Sequence, residues 1–375
     1  MRILLLGDYS NVHATLAKAL RAEGHNVTLA SDGDGWKDYD RDVDLHRSAS
    51  GCLSDARWLA RLLKCFCGFR GYDVVQLVNP VFLPLRAERI WPFYRYLRRH
   101  NKSVFLGAFG MDHYYVKACV ETKAFRYSDF NIGDKKRTYS ENDTWIADWL
   151  HGPKGELNKR MAADVDGIVT GLYEYDASYR PFYADKTRFI PFPIALPAQV
   201  NEPYRPDRPM RIFVGIQERR SAYKGTDLLQ RALRRLAAEQ PAQVEAVEAV
   251  SLPFDEYVKR LQTADVLLDQ IYSYTPAMNA LEAMAHGMAV VSGGEPENYT
   301  LLGCHDLRPI VNVPPTEEGA YETLRQLVAN RAELPRLQRE SREYIERYHD
   351  SRLVAQAYVE FWTSHGAGPQ THATE

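Results

Sequence analysis

Residues 264–299 read ADVLLDQIYSYTPAMNALEAMAHGMAVVSGGEPENY. VLLDQI is a short apolar run of the kind a buried parallel strand makes. Thr275 can cap a following helix, and Pro276 suits its first position. MNALEAMAH has helical spacing, and Gly287 ends it. AVVSG is a second buried strand. The order strand, loop, helix, strand, loop starts a helix at the carboxyl end of a parallel strand, where open α/β sheets place ligands. The free N–H groups and dipole of such a helix attract anions, phosphate above all. One carboxylate, Glu282, lies about two turns in.

This segment resembles the donor-binding signature of the retaining glycosyltransferases of family 4, which have the GT-B fold. Their pattern is Glu, seven residues, Glu, then Ala-Met-Ala-x-Gly-x-x-Val-Val. Glu282 and AMAHGMAVV match its second part. Tyr274 stands where the first glutamate belongs. The resemblance implies that Glu282 binds the ribose of a nucleotide. It also implies that residues 274–279 (Tyr274, Thr275, Pro276, Ala277, Met278 and Asn279) line the donor site. The first glutamate of the pattern contacts the transferred sugar, so the resemblance implies that the donor sugar meets the ring and hydroxyl of Tyr274 instead of a carboxylate. The competing reading is a plain βαβ unit with a solvated Glu282.

A chain of 375 residues suggests two domains, each with its own core. The first half reads RILLLG, HATLAKALRAEG, HNVTLAS as strand, helix, strand, with DVVQLV and SVFLGAF as further strands. Residues 120–150 are polar and aromatic without clear periodicity and read as an insertion near the cleft. GELNKRMAADVDGIVTGLYEYDASYRPFYADKTRFIPFPIAL then reads helix, strand, helix, strand. Pro191, Pro193 and Pro197 with NEPYRPDRP make a linker. The expected architecture is GT-B: two Rossmann-like domains with parallel sheets facing across a cleft. The expected limits are 1–195 for acceptor binding, 205–345 for the nucleotide sugar, and 346–368 for a helix crossing back to the first domain. The final GPQTHATE reads as a frayed tail.

MRIFVG opens the second half as a strand, and GIQERRSAYKGTDLLQRALRRLAAE is its loop and helix. The resemblance gives this loop an arginine and a Lys-Gly that bind the donor diphosphate, here Arg219, Arg220 and Lys224. A diphosphate needs cations as well as helix N–H groups; an ordinary basic surface loop is the alternative. In the first half, residues 7–13 follow the first strand. They are not G-x-G-x-x-G, so a dinucleotide cofactor and an NAD-dependent oxidoreductase are disfavoured. Ser10, Asn11 and His13 are cleft candidates, although His13 can equally just begin the helix. GAFGMDHYY ends another strand. Family members often have a histidine there, close to the reacting sugar, so Asp112 and His113 are the catalytic candidates. The alternative is a polar turn with aromatic packing.

Residues 57–102 hold ten basic and two acidic side chains. Helices in RWLARLLKCFCGFRG and WPFYRYLRRHNK are basic, amphipathic and aromatic. They read either as covering helices with arginines in water or as a peripheral contact with an anionic membrane. No recognised module accompanies the charge, so nucleic acid is not an expected partner. Five cysteines without a framework suggest reduced thiols, and Cys65-x-Cys67 is too sparse for zinc. MRILLLGDY does not read as a signal peptide, and no run approaches a membrane span. The expected location is the cytoplasm, with a place at the inner membrane face left open.

The resulting expectation is a glycosyltransferase of hexosyltransferase type. It moves a sugar, with retention, from a nucleotide-diphosphate donor to a glycan or lipid-linked acceptor, as in polysaccharide biosynthesis. It needs no metal or cofactor beyond the donor substrate. The rivals are a nucleotide-sugar epimerase of similar fold and a nucleotide-sugar-binding protein without catalysis.

Overall fold

The computed structural model of the protein describes residues 1–47, 51–252 and 254–367. Its first parallel sheet contains β1 (Arg2–Leu6), β2 (Asn26–Ser31), β3 (Val43–Asp44), β4 (Val74–Leu77) and β5 (Ser103–Ala108). A small hairpin, β6 (Asn131–Ile132) with β7 (Lys135–Lys136), stands apart, and β8 (Gly167–Thr170) and β9 (Thr187–Phe189) complete the sheet. The order is β3-β2-β1-β4-β5-β8-β9. A second parallel sheet contains β10 (Met210–Ile216), β11 (Val244–Val250), β12 (Val266–Leu268), β13 (Ala289–Ser292) and β14 (Ile310–Asn312), in the order β11-β10-β12-β13-β14. Two Rossmann-like sheets in two domains make this the GT-B architecture.

Ile3, Leu4, Leu5 and Leu6 are all fully buried. Successive side chains of a strand point to opposite faces, so helices must cover both. Each such residue contributes roughly 1.5–3 kcal/mol by leaving water. In each sheet the strand order reverses around the first strand: β1 lies between β2 and β4, and β10 between β11 and β12. Crevices form at the carboxyl ends of strands at such switch points. The loops after β1 and β10 therefore face the interdomain cleft from opposite sides.

VLLDQI is a strand only to Leu268. The Asp269 side chain then takes Asn279 Nδ2 at 3.1 Å and Ser292 Oγ at 3.4 Å, which ties the turn to the helix and strand that follow. The helix Ser351–Trp362 packs on the helix Val12–Ala22, and Trp362 Nε1 donates to Gln76 Oε1 at 3.2 Å. The chain thus returns to the first domain. The linker is pinned beside it, with Ile194 N donating to His349 O at 2.7 Å and Ser351 N to Ile194 O at 2.9 Å. GPQTHATE, residues 368–375, lies outside the described residues, which end at 367. Among the described residues no helix is long and apolar enough to cross a membrane.

Residues 120–150 show no periodicity because they pack on each other and on the second domain rather than on a sheet face. Phe125, Tyr127, Phe130 and Trp149 join Tyr115 and the second domain's Tyr274 in one buried aromatic cluster. Arg137 spans the gap. Its guanidinium donates to the carbonyls of Ala222 and Tyr223 and lies 3.5 Å from the centroid of the Tyr272 ring.

Candidate functional site

The loop after β10 forms the turn Glu218–Arg220 and the short helix Ser221–Lys224. Gly225 then takes φ +74°, and a Cβ there would meet Ile271 Cγ1 at 2.4 Å. Only glycine allows both the left-handed backbone and this approach. The tight turn lets Ile271 N donate to the Lys224 carbonyl at 3.1 Å. Lys224 is thereby held against the loop that follows β12. It lines an interdomain cavity of about 100 Å³ with Gln270, Ser273, Asp129, Glu174 and four tyrosines.

No hydrogen bond or ion pair with another described residue holds the Lys224 ammonium. Burial pushes its pKa down, Asp269 opposes the shift, and Arg220 and Lys37 add to it. Arg219 and Arg220 are exposed and have no carboxylate partner among the described residues. The Arg220 guanidinium lies 5.4 Å from the Tyr223 ring centroid. The Arg220 charge reaches Lys224 and Asp129, so two cations share this end of the cleft, and neither makes an ion pair among the described residues.

Glu282 lies on the helix Met278–Ala285, whose N-cap is Ala277 with extended backbone. It is half-buried, and desolvation lifts its pKa to about 7, opposed by the first domain's Lys37. No described residue donates a hydrogen bond to it. Asn279, one turn earlier, is occupied: it donates to Asp269 and accepts from Tyr257 Oη at 2.9 Å. Met278 is core.

The expected helix start is corrected. Thr275 does not cap the helix, and Pro276 is not its first residue. A carboxylate from the other domain takes Thr275 instead. Glu174, on the helix Tyr173–Tyr183, accepts Thr275 Oγ1 at 2.6 Å, Tyr274 N at 2.7 Å and Thr275 N at 3.3 Å. These bonds hold residues 274 and 275 outside the helix. Tyr274 as a sugar contact is corrected as well, because it is 2 % exposed. Its ring stacks on Tyr173 at 5.7 Å and meets Tyr127 at 5.0 Å, and its hydroxyl accepts Arg126 N at 2.6 Å. Neither the ring face nor the hydroxyl is open to a ligand.

Across the cleft, Ser10 and Asn11 both have left-handed backbones, φ +51° and +70°, which is uncommon for non-glycine residues. Ser10 N donates to Asp34 Oδ2 at 2.9 Å. Lys37 Nζ bonds Asp34 at 2.7 Å and Ser10 Oγ at 3.2 Å. Lys37 therefore joins this loop to the site, since its charge acts on both Glu282 and Lys224. His13 does not reach the cleft, because it is fully buried. Its Nδ1 lies 2.6 Å from the Gly7 carbonyl, which can only accept, so Nδ1 carries the proton. Burial lowers the pKa of the ring to about 4. Asp8, rather than the histidine, serves the helix start by accepting His13 N at 2.9 Å and Ala14 N at 3.2 Å.

Asp112 and His113 are structural in this geometry. Asp112 caps the helix His113–Val120 through Tyr115 N at 2.9 Å, and its other oxygen accepts Tyr179 Oη at 2.8 Å. His113 Nδ1 bonds the Trp149 carbonyl at 2.7 Å. Neither lines the Lys224 cavity. Glu174, Asp129 and Lys37 are the site residues that sequence reasoning missed.

No protein-family profile matches the chain, and no curated protein does. Solved structures do match. Sucrose-phosphate synthase from Thermosynechococcus elongatus superposes with a TM-score of 0.61 at 14 % identity, over 97 % of this chain and 98 % of that one. HepE of Anabaena in complex with UDP-glucose gives 0.61 at 13 % identity, over 97 % and 100 %. The lipopolysaccharide outer core galactosyltransferase WaaB gives 0.53 at 13 %, over 97 % and 99 %. At these identities the likeness shows the fold, and the fold is that of GT-B glycosyltransferases.

Proposed function

We propose that the protein is a glycosyltransferase that binds a nucleotide-diphosphate sugar in the cleft between its domains. The observation that carries this reading is a pair of opposite charges left without partners at the switch point of the second sheet. Lys224 is desolvated and no described carboxylate bonds its ammonium, and Glu282 is desolvated and no described residue donates to it. A folded chain tolerates such groups where a ligand completes them. A nucleoside diphosphate fits both, with its phosphates on Lys224, Arg219 and Arg220 and its ribose hydroxyls on Glu282. UDP-glucose bound to a structural neighbour supports this ligand class.

In the transfer, the bond from the anomeric carbon to the phosphate oxygen breaks, and the nucleoside diphosphate leaves with the electron pair. The acceptor oxygen bonds to the carbon, and its proton passes to the departing phosphate oxygen. Lys224 and the arginines stabilise the charge growing on that oxygen. Retention, transfer of a hexose, a glycan or lipid-linked acceptor and a role in polysaccharide biosynthesis extend the same reading. They rest on the match of residues 282–291 to the family 4 pattern. Asp112 and His113 are left out of the chemistry, because both are committed to the first domain's interior.

Incubating the protein with UDP- and GDP-sugars tests the reading. Slow donor hydrolysis, accelerated by an acceptor, is the expected result. Conversion of the donor to another sugar nucleotide without acceptor would make it an epimerase. Tight binding with no turnover under any acceptor would make it a binding protein.

A further inference from the structure

The short helix Ser221–Lys224 presents Lys224 to the cleft, and it cannot satisfy its own backbone. A helix leaves its last four carbonyls without intrahelical donors, and this one has only four residues. Gly225 N donates to the Ser221 carbonyl at 2.8 Å, and Ile271 N to that of Lys224 at 3.1 Å. The carbonyls of Ala222 and Tyr223 remain. Their donor is the guanidinium of Arg137, which belongs to the first domain.

Arg137 is itself firmly held. It is 8 % exposed. Its guanidinium also donates to the Asp129 carbonyl at 3.0 Å, and its N–H to the Phe130 carbonyl at 2.7 Å. Asn142 Nδ2 donates to the carbonyls of Asp129 and Arg137 at 3.1 and 3.2 Å. A planar guanidinium can serve neighbouring carbonyls and stack on a ring at once. Arg137 does both, because it also lies over Tyr272, in the loop that follows β12 and lines the Lys224 cavity. One side chain thus fastens both second-domain loops of the site. The same segment grips the turn at further points. Asp129 Oδ2 accepts Tyr223 Oη at 2.9 Å and Tyr115 Oη at 2.8 Å, and Tyr139 Oη donates to the Arg219 carbonyl at 3.4 Å. The Trp145 ring meets that of Tyr223 edge-on at 5.1 Å. Residues 219, 222 and 223 are all held from the other domain, and Lys224 comes next in the chain.

We infer that Arg137 is a positioning residue for the donor phosphates: it does not line the cavity, yet it sets the turn that presents Lys224. The inference rests on the proposed donor site. It means that the first domain completes the phosphate turn of the second. Without Arg137, two carbonyls lose their donor and the turn visits other arrangements. Affinity then falls in proportion to the fraction of time that Lys224 is in place.

Two measurements on the full chain test this. In the free protein, hydrogen exchange of the Gly225 and Ile271 amides, whose bonds close the turn, should quicken about tenfold in Arg137→Ala. By calorimetry the same variant should bind UDP, GDP and inorganic pyrophosphate roughly tenfold more weakly than the native chain, because phosphate is common to all three. Arg137→Lys keeps the charge but loses the two-carbonyl fork, so it should show both effects at smaller size; it also carries the test if Arg137→Ala does not fold. Arg126→Ala cuts a different interdomain contact, to Glu295 and Glu297, and should keep native exchange at this turn and native affinity. Native affinity in Arg137→Ala, or weaker binding at native exchange rates, overturns the proposal. So does native affinity in Arg137→Lys beside a loss in Arg137→Ala, which would reduce Arg137 to a charge acting at a distance. An equal loss in Arg126→Ala overturns it too, because any interdomain contact would then serve. If the native chain binds none of the three ligands, the donor reading fails, and the exchange measurement alone decides whether Arg137 holds the turn.

Discussion

Two groups of charge lie within the same cleft and differ in one respect. At the seam between the domains every charge is answered. Glu174 takes three donors from residues 274 and 275, and Arg126 bonds both Glu295 and Glu297. Around the turn after β10, Lys224, Arg219, Arg220 and Glu282 have none of this. The seam holds the domains together, so its groups were selected to satisfy each other. Of the unpaired set, Lys224 and Glu282 carry a desolvation cost that a ligand would relieve, while Arg219 and Arg220 stay in water. The difference separates charges that the fold satisfies from charges that it leaves unpaired.

The sharpest way to break this comparison is at Glu174. Glu174→Ala leaves two buried N–H groups and a hydroxyl without an acceptor. At roughly 1–3 kcal/mol per buried orphan, partly relieved by water, the expected loss of stability is about 3 kcal/mol. Glu174→Gln keeps one acceptor oxygen and can donate to Thr275 Oγ1, so it should recover most of that loss. Urea titration of the three proteins decides. A neutral Glu174→Ala variant would mean that the seam is not structural.

Lys224→Ala should do the reverse. Removing a desolvated cation that pairs with nothing should leave the melting temperature of the free protein unchanged or slightly higher. Affinity for nucleoside diphosphates should fall by about 1.5–3 kcal/mol, the range for hydrogen bonds to charged groups. Calorimetry with UDP and GDP measures it. Unchanged affinity for both would remove Lys224 from the site.

Much of this was legible in the sequence, and the boundary is physical. Strands buried on both faces write themselves as apolar runs, so β1, β5, β10 and β13 were readable. The Lys-Gly pair was readable through the resemblance, and its physical reason, the left-handed backbone of Gly225, comes from the fold. The seam was not readable. Glu174 looks like one acidic residue in the first turn of an ordinary helix, and its partners lie a hundred positions away. Asp129 and Arg137 sit in a segment whose packing is aromatic and therefore carries no period. Lys37 lies in a run of glycine and aspartate with no pattern. Tyr274 was misread for a related reason. The family position implied a ligand, whereas the aromatic residues that cover it come from the distant 125–127 and 173 stretches. Asp112 and His113 were assigned by resemblance alone; local capping explains Asp112, and a bond to the distant Trp149 carbonyl holds His113.

Glu282 offers a test that sharpens the contrast through pH. Its folded pKa, about 7, lies above the ordinary 4.5. Between those values the folded state binds more protons than the unfolded one, so stability falls as pH rises through the window. Asp8 and Asp112 also sit near 7, so the native curve alone does not isolate Glu282. The difference between native and Glu282→Gln does. The variant should gain about 1–2 kcal/mol relative to the native protein on going from pH 4.5 to pH 7.5, after allowance for partial solvent exposure. Nucleotide binding should weaken in the same variant, while inorganic pyrophosphate binding should not. Parallel stability curves, or equal loss of both ligands, would remove the ribose role.

The smallest effect belongs to Arg126, although its contacts look impressive. Its guanidinium bonds Glu295 Oε2 at 2.7 Å, bonds both oxygens of Glu297, and lies 4.8 Å from the Tyr274 ring centroid. The side chain is nevertheless 57 % exposed. Water and salt screen such pairs, which usually contribute about 1 kcal/mol or less. Two features keep the value from zero. Glu295 is 13 % exposed and also accepts Tyr127 Oη at 2.5 Å and Asn312 Nδ2 at 3.0 Å, so it is not fully hydrated when its cation leaves. Arg126 N also bonds Tyr274 Oη through the backbone, and an alanine keeps that bond. Arg126→Ala should therefore cost about 1 kcal/mol at low salt and less at high salt, read as a shift in the urea midpoint at two ionic strengths. A loss as large as that of Glu174→Ala, independent of salt, would place the main interdomain fastening at the exposed rim and reverse the ranking of buried over exposed contacts along this seam.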